Sequence, residues 1–179
     1  MERIVLITTG GTIEKTYDER TGELANRRSL VERMLQELRL EGAEVEVVEL
    51  MHKDSLFMDE EDRRQVLETV RDATRRLGPR TADGGGLAGV VILHGTDTLA
   101  QTGRVLHDGL QPPRVAVVLT GAMRPFEMKR SDALQNLTES LFASRTLDPG
   151  VYCVAHGRAL RFPGVEKDRE SGTFVASPA

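Results

Sequence analysis

Five apolar runs of strand length recur along the chain. They are rich in Val, Ile and Leu, and most of them lack a strict alternation of apolar and polar positions. Such runs are typical of strands in a sheet that is covered on both faces. The runs are Ile4–Ile7, Val45–Leu50, Leu87–Leu93, Val115–Leu119 and Val151–Ala155.

Segments with helical periodicity lie between these runs. Ser29 and Glu32 have the spacing of a capping box, which predicts a first helix that ends near Gly42. A second helix is expected to start around Asp59 and to stop at Gly78–Pro79. The apolar positions of these two helices are Leu30, Met34, Leu35 and Leu38, then Val66, Leu67, Val70 and Leu77.

A third helix is expected from about Thr98 to Asp108, and a fourth before Pro149–Gly150. Strand and helix therefore alternate throughout. With right-handed crossovers this order predicts an α/β fold in three layers, with a doubly wound, mainly parallel sheet of the Rossmann or flavodoxin type. The apolar positions of the fourth helix are Leu134, Leu137, Leu141 and Phe142.

The composition fits one domain and a small-molecule partner. A chain of 179 residues with 39% hydrophobic content can bury one core, so residues 1–179 are treated as a single domain. The net charge of −4 gives no electrostatic reason to expect nucleic acid or an anionic membrane as a partner. Cys153 lies in an apolar run and is interpreted as buried. Without a signal-peptide or bilayer-length apolar stretch, a cytoplasmic location is expected.

Small and polar residues follow every predicted strand. In an open parallel sheet, ligands bind outside the carboxyl ends of the strands, so these segments are expected to meet at one site. Their hydroxyls and carboxylates come from distant parts of the chain. The segments are Thr8–Thr12, His52–Ser55, His94–Thr98, Thr120–Pro125 and His156–Arg158.

Two of these segments suggest chemistry. Thr12 follows Gly10 and Gly11, which would let backbone approach a substrate closely and present the threonine hydroxyl as a nucleophile if a base is near. Thr96 and Asp97 stand where a helix begins, where free N–H groups could bind an anion or a developing oxyanion. The Asp97 carboxylate could instead hold an ammonium group.

Each feature also has a structural interpretation. The Thr9–Thr12 segment could be only a tight turn, Thr96–Asp97 an ordinary helix cap, Ser55 a loop-shaping residue and Lys167 one solvated charge. No metal site is predicted, because there is no cysteine partner and no close histidine pair. The two histidines interpreted as structural are His94 and His156.

In combination, three motifs resemble those of the bacterial-type L-asparaginase family. The similarity continues through Asp54-Ser55, Ser131-Asp132 and Asn136-Leu137 to Lys167, and it covers the amino-terminal domain of that family. The usual carboxyl-terminal domain has no counterpart. The three motifs are Thr9–Ile13 (TGGTI), His94–Thr98 (HGTDT) and Gly121–Pro125 (GAMRP).

The resemblance implies an amidohydrolase that uses a threonine nucleophile and no cofactor. Thr12 would attack the side-chain amide of L-asparagine, which yields ammonia and an acyl-enzyme that water resolves to L-aspartate. Thr96, Asp97 and Lys167 would form a second hydroxyl–acid–lysine group that activates the reacting centre. Ser55 would bind the substrate α-carboxylate and Asp97 its α-ammonium.

The resemblance also assigns Gly11 and Asp54 to substrate binding and a mobile-loop tyrosine to catalysis. Tyr17 is the candidate for that tyrosine, although it lies closer to Thr12 than in longer members. Without the carboxyl-terminal domain the site is expected to be more open, so water exclusion and substrate discrimination should be weaker. Another copy of the chain could close the site, and we expect a homo-oligomer.

Two other functions stay open at this point. The same chemistry could act on glutamine, on a larger amide, or on the amide donor of a transamidation complex. Alternatively, the chain could be a non-catalytic domain that binds asparagine or aspartate through Ser55 and Asp97.

Overall fold

The computed structural model describes residues 1–78, 80–81 and 85–177; Pro79, at the expected end of the second helix, lies outside the described residues. Helices separate the five predicted strands of the described part, and five further short strands lie between them or after the last of them. The strands are β1 (Glu2–Gly10), β2 (Thr16–Tyr17), β3 (Leu24–Ala25), β4 (Ala43–Lys53), β5 (Leu87–Leu93), β6 (Ala116–Thr120), β7 (Gly150–Ala155), β8 (Arg158–Arg161), β9 (Val165–Asp168) and β10 (Thr173–Ala176). The helices are α1 (Val31–Gln36), α2 (Glu60–Leu77), α3 (Leu99–Gly109) and α4 (Ala133–Thr146).

A six-stranded sheet forms the middle layer, in the order β4-β1-β5-β6-β7-β8. From β4 to β7 every neighbouring pair is parallel, and β8 runs antiparallel to β7 at one edge. The five parallel strands are the five that the apolar runs predict. The predicted fold class, a mainly parallel α/β sandwich of three layers, is therefore confirmed.

Helices cover both faces of this sheet. Val5 and Ile7 of β1 pack in one core cluster with residues of α2 and α3, whereas Ile4 and Leu6 pack in a second cluster with residues of α1 and α4. Successive side chains of a strand point to opposite faces, so a central strand needs apolar residues at every position. β5 is buried along its whole length, which explains the missing alternation in its sequence.

The second and third helices lie where the sequence predicts them. α2 begins after Asp59, whose carboxylate accepts a hydrogen bond from the Asp62 N–H at 2.9 Å, while the Asp62 carboxylate accepts one from the Asp59 N–H at 3.0 Å. This capping box closes the first turn of the helix. α2 ends before Gly78, which has a φ of 65°. No helix in the described part of the chain is long and apolar enough to cross a membrane.

The first helix forms at the predicted apolar stripe, but its cap and its end were predicted wrongly. α1 begins at Val31 and ends at Gln36, well short of Gly42. Its N-cap residue Leu30 provides no side-chain cap, and the Ser29 hydroxyl accepts a hydrogen bond from the Val31 N–H at 3.2 Å. The hydroxyl of Ser29 donates to the buried carboxylate of Glu14 instead of forming the expected capping box with Glu32. The Ser29 hydroxyl therefore bonds to a carboxylate 15 positions away and not to Glu32. In α4, Phe142 is also not part of the core, because its side chain is 67% exposed.

The region after β7 departs from a simple parallel order. At His156–Gly157 the backbone has φ values of 53° and 75°, and the chain turns back into β8. β9 and β10 then form a separate antiparallel pair in which Phe174 faces Lys167. None of these three strands is predicted from the sequence. This hairpin brings Lys167 back to the sheet edge where the polar segments meet.

The thiol of Cys153 is buried in β7, as the sequence indicates. Burial raises the pKa of this thiol to about 12, so it stays protonated at neutral pH. It belongs to the core and has no exposed, reactive form.

We expect Gly89→Ala to destabilise the fold by about 3 kcal/mol or more, because overpacking here requires a backbone shift. A Cβ on Gly89 would lie 2.2 Å from the carbonyl oxygen of Ser144, which belongs to α4. Urea unfolding measures the loss. The reverse change at the neighbouring position, Ala88→Gly, serves as the control and should cost about 1 kcal/mol. Equal stability of Gly89→Ala and the wild type would contradict the close approach of α4 to the sheet.

Candidate active site

The turn after β1 brings Thr12 against two other segments. Gly10 and Gly11 have φ values of 94° and 82°, a region that favours glycine. A Cβ on Gly11 would lie 2.4 Å from the Cα atom of Gly95, and the Gly11 N–H donates to the Lys53 carbonyl at 2.9 Å. The turns after β1, β4 and β5 are therefore in direct contact. Thr12 opens a short 3₁₀ turn and is only partly buried.

Ser55 lies in the same cluster. A Cβ on Gly95 would lie 2.5 Å from the Ser55 Oγ atom, and the Ser55 carbonyl accepts a hydrogen bond from the Thr98 hydroxyl at 2.9 Å. Ser55 is 1% exposed, and within the described residues its Oγ atom has no hydrogen-bond partner. Buried hydroxyls usually have a partner, so the Ser55 Oγ atom is an unsatisfied polar group of this cluster.

Thr96, Asp97 and Lys167 form one hydrogen-bonded group. The Lys167 Nζ atom donates to the Thr96 Oγ1 atom at 2.8 Å and to the Asp97 Oδ1 atom at 2.9 Å. Thr96 is 4% exposed, and the side chains of Lys167 and Asp97 are 16% and 24% exposed. The structure thus joins a lysine to two residues that lie 71 and 70 positions away from it along the chain. Proximity to an amine that can relay a proton is what a hydroxyl requires for activation.

Asp97 has a second cationic partner that the sequence analysis did not name. An Arg169 guanidinium nitrogen lies 3.0 Å from the Asp97 Oδ1 atom, the same oxygen that Lys167 contacts. Arg169 follows β9 in the hairpin turn, two positions after Lys167, and both side chains reach Asp97. The Arg169 side chain is 71% exposed.

Asp54 is placed as a loop anchor. Its Oδ2 atom lies 2.6 Å from the Lys15 Nζ atom, and its Oδ1 atom accepts from the Leu56 N–H at 3.1 Å. Burial alone would raise the pKa of this carboxyl, but the hydrogen bonds from Lys15 and Leu56 outweigh it and hold the pKa below its usual value. Each oxygen of Asp54 therefore accepts one hydrogen bond within the fold, and the role of Asp54 in substrate binding stays a prediction.

Tyr17 lies apart from the other predicted site residues. It lies on β2, opposite Leu24 of β3, and its side chain is 57% exposed. Within the described residues, no hydrogen bond joins Tyr17 to the cluster, and the Thr12 hydroxyl forms none either. The structure brings together Gly11, Ser55, Thr96, Asp97 and Lys167, and it leaves Tyr17 on an exposed hairpin.

Glu14 is a buried residue that sequence reasoning missed. Its carboxylate accepts four hydrogen bonds, from the Thr8 hydroxyl and the Gly10 N–H at one oxygen and from the Ser29 hydroxyl and the Leu30 N–H at the other. Glu14 is 0% exposed. It ties the end of β1 to the segment before α1, and so it fixes the turn that carries Thr12. The only sequence signal for the burial of Glu14 was its position beside the apolar Ile13.

Both histidines interpreted as structural have that character. The ring of His94 is fully buried, with its Nδ1 atom 2.8 Å from the Gly95 carbonyl and its Nε2 atom 2.8 Å from the Thr102 hydroxyl. The carbonyl can only accept, so Nδ1 carries the proton. Burial lowers the pKa of this imidazole from 6.5 to about 4.

His156 connects the Lys167 hairpin to the rest of the fold. Its Nε2 atom lies 2.8 Å from the Asp132 carboxylate and its Nδ1 atom 2.8 Å from the Thr173 hydroxyl of β10. The backbone N–H of His156 donates to the Oδ1 atom of Asn136 at 3.0 Å. No cluster of three or more histidine, cysteine or carboxylate side chains suited to a metal ion occurs in residues 1–78, 80–81 and 85–177.

Comparison with known proteins shows the family of the chain. The family model for "Asparaginase, N-terminal" matches residues 3–174. An L-asparaginase of Thermococcus kodakarensis is 31% identical over 150 residues, which are 84% of this chain and 43% of that protein. A component of the glutamyl-tRNA(Gln) amidotransferase of Aeropyrum pernix is 34% identical over 163 residues, which are 87% of this chain and 35% of that protein.

A solved structure gives the same picture. The thermostable L-asparaginase from Thermococcus kodakarensis superposes with a TM-score of 0.84 at 30% identity, covering 97% of this chain and 51% of that one. The chain therefore spans about half the length, or less, of the relatives that it matches.

We expect Glu14→Gln to destabilise the protein by about 3 kcal/mol, because the amide nitrogen must face one of two backbone N–H donors. Urea unfolding measures the change. Ser29→Ala removes one of the four donors and leaves the acceptor in place, so it should cost about 1 kcal/mol. If the two variants lost equal stability, the carboxylate would not be the centre of this network.

The pH dependence of stability should report on His94. Its pKa is depressed in the folded state, so its contribution is complete above the unfolded pKa of about 6.5 and is lost as the pH falls toward about 4. Between about pH 7.5 and pH 5 the loss should be about 2 kcal/mol. Urea unfolding of the wild type and of His94→Gln at both pH values measures it. The variant should lose about 2 kcal/mol less, and parallel losses would refute the assignment.

Proposed function

Because the chain belongs to the asparaginase family, whose amino-terminal domain it shares, we propose that it is an amidohydrolase that converts L-asparagine to L-aspartate and ammonia. The observation that carries the proposal is the Lys167–Thr96–Asp97 group, at the sheet edge where the Thr12 turn contacts the segments of Ser55 and Gly95. A nucleophilic hydroxyl, a lysine relay and free backbone dipoles are the parts that amide hydrolysis needs.

Thr12 is the proposed nucleophile. Its oxygen forms a bond to the side-chain carbonyl carbon, and the carbon–nitrogen bond breaks as ammonia leaves with the proton from the hydroxyl. Water then attacks the resulting ester, which releases L-aspartate and restores the Thr12 hydroxyl. Thr96 and Lys167 transfer the protons, since the Lys167 Nζ atom contacts the Thr96 hydroxyl at 2.8 Å.

The substrate is held by groups of the same edge. The Ser55 hydroxyl, buried and without a partner in the described residues, is suited to bind the α-carboxylate together with the backbone near Gly11. Asp97 is the carboxylate that contacts Lys167 of the Thr96–Lys167 pair. Tyr17 would take part in catalysis only if its exposed hairpin moved toward Thr12.

A further part of the proposal concerns the rim of the cluster, where the side chains of Leu56 and Phe57 are 61% and 79% exposed. We expect one domain, a cytoplasmic location and a homo-oligomer in which another copy of the chain covers this rim.

A second candidate function is favoured by the relatives. The Aeropyrum pernix protein, named as part of a glutamyl-tRNA(Gln) amidotransferase, is slightly more identical to the chain than the Thermococcus kodakarensis L-asparaginase. The substrate could therefore be glutamine or the amide donor of a transamidation reaction, with the same nucleophile. Relative rates of ammonia release from asparagine and glutamine separate the two functions.

We expect Thr12→Ala to lower ammonia release from L-asparagine by about 10³-fold or more, because it removes the nucleophile. Lys167→Met should lower it by about 10²-fold through loss of proton transfer. Thr138→Ala, which changes an exposed threonine of α4, is the matched control and should have no effect. Turnover that survives in Thr12→Ala would disprove the nucleophile. Saturable binding of L-aspartate without any turnover would indicate a binding domain instead.

A further inference from the structure

We propose that the fold has a second ligand site, separate from the candidate active site, that binds small monocarboxylates with an apolar body. The site is a cavity of about 300 Å³ between the ends of α2 and α3 and the beginning of β6. Ligand pockets in proteins begin at about this volume, and they combine an apolar lining with a few polar groups. The inference does not depend on the proposed amidohydrolase function, because the cavity contains none of the residues assigned to it.

The cavity lies at the opposite end of the sheet from Thr96. Val115, which lines the cavity, stands just before β6, whereas Gly121 follows the other end of this strand. A Cβ on Gly121 would lie 3.1 Å from the Thr96 Cγ2 atom. The strand between these two ends is about 17 Å long. A small ligand in the cavity is therefore out of contact with the residues proposed for amide hydrolysis.

The floor of the cavity is apolar and is fixed by core packing. Val70, Val115 and Val117 belong to the core cluster that α2 and α3 form with the sheet, and they are 1%, 5% and 1% exposed. Pro112 and Pro113 add an apolar wall, and the proline rings restrict the backbone there. Because these walls need no rearrangement to accept a ligand, little free energy is lost in ordering them on binding.

The charged residues that line the cavity within the described part of the chain are all arginines: Arg71, Arg75 and Arg114. Arg71 contacts Glu68 at 2.6 Å and Arg75 contacts Asp72 at 3.1 Å, so two of the three charges are compensated from outside the lining. The Arg114 guanidinium has no ion pair or hydrogen bond with a residue that the structure describes. One positive charge is left at the cavity, and it favours a ligand with one negative charge.

Arg71 offers a carboxylate a guanidinium that is already oriented. Besides its contact with Glu68, it donates to the carbonyl of Gly109, the last residue of α3, at 2.7 Å. A guanidinium has more N–H donors than these two contacts use, and its planar fork matches a carboxylate. The Arg71 side chain is 40% exposed, so solvent screens its charge, and the ligand carboxylate should raise affinity by about fivefold.

The experiment titrates the full chain with three probes and follows its amide signals by NMR, which gives the affinity and the place of binding. 3-Phenylpropionate has the charge and the apolar body, 3-phenylpropionamide has the body alone, and acetate has the charge alone. The variants are Arg114→Gln and Arg71→Gln. Arg104→Gln is the matched control, since Arg104 is an exposed arginine of α3 that does not line the cavity.

3-Phenylpropionate should shift the signals of Leu110 and Val117 in a saturable way, because both residues line the cavity. It should bind about fivefold more tightly than the amide and about tenfold or more tightly than acetate. Arg114→Gln and Arg71→Gln should each lower its affinity by about three- to fivefold and leave that of the amide unchanged. Arg104→Gln should change neither affinity.

Three results would overturn the proposal. Shifts at Gly11 and Gly95 in place of Leu110 and Val117 would put the probe at the candidate active site. Equal affinities for the acid and the amide, or an affinity for the acid that neither arginine variant lowers, would refute a site for monocarboxylates. If none of the three probes bound in a saturable way, the cavity would not be a ligand site.

Discussion

The buried carboxylate of Glu14 is the interaction on which the geometry of the site depends. A charged group is buried in a protein only where donors replace its water, and Glu14 has four of them. These donors come from the end of β1 and from the segment before α1, which are the two ends of the excursion that carries Thr12 and Tyr17. One side chain therefore fixes the Thr12 turn to the sheet and closes the base of the β2–β3 hairpin. The tip of this hairpin remains exposed.

The second constraint is the close contact of backbone at the carboxyl edge of the sheet. Gly11 lies against Gly95, Gly95 lies against Ser55, and a Cβ on Gly121 would lie 2.3 Å from the His94 carbonyl oxygen. Each contact exists only because a side chain is missing. The paired glycines of the motifs thus bring hydroxyls from three segments to one place, and the neutral, buried His94 ring fills the space beneath them without adding a charge.

The parallel sheet could be predicted from the sequence because buried strands have apolar residues on both faces, as in Leu87–Leu93. The convergence of the polar segments at one edge could also be predicted, because the parallel strands all end there. Long-range polar contacts could not be predicted in the same way. Ser29 has the local spacing of a helix cap, but its partner Glu14 lies 15 residues away. β8 and β9 are short and rich in charges, so their sequences show no apolar period, and the position of Arg169 followed from neither pattern nor motif.

The hairpin of β9 and β10 sets the position of Lys167, and the match to the family model extends into it, as far as residue 174. Lys167 reaches Thr96 only because β9 is paired with β10, whose Phe174 is buried in the same core cluster as α2 and α3. His156 adds a polar link from Thr173 to Asp132, which itself binds the backbone N–H groups of Met123 and Arg124. The position of the lysine is thus set by apolar packing on one side of the hairpin and by a histidine–aspartate contact on the other. Thr12, held by Glu14, and Lys167, held by this hairpin, are positioned independently, so a change in one support should leave the other group in place.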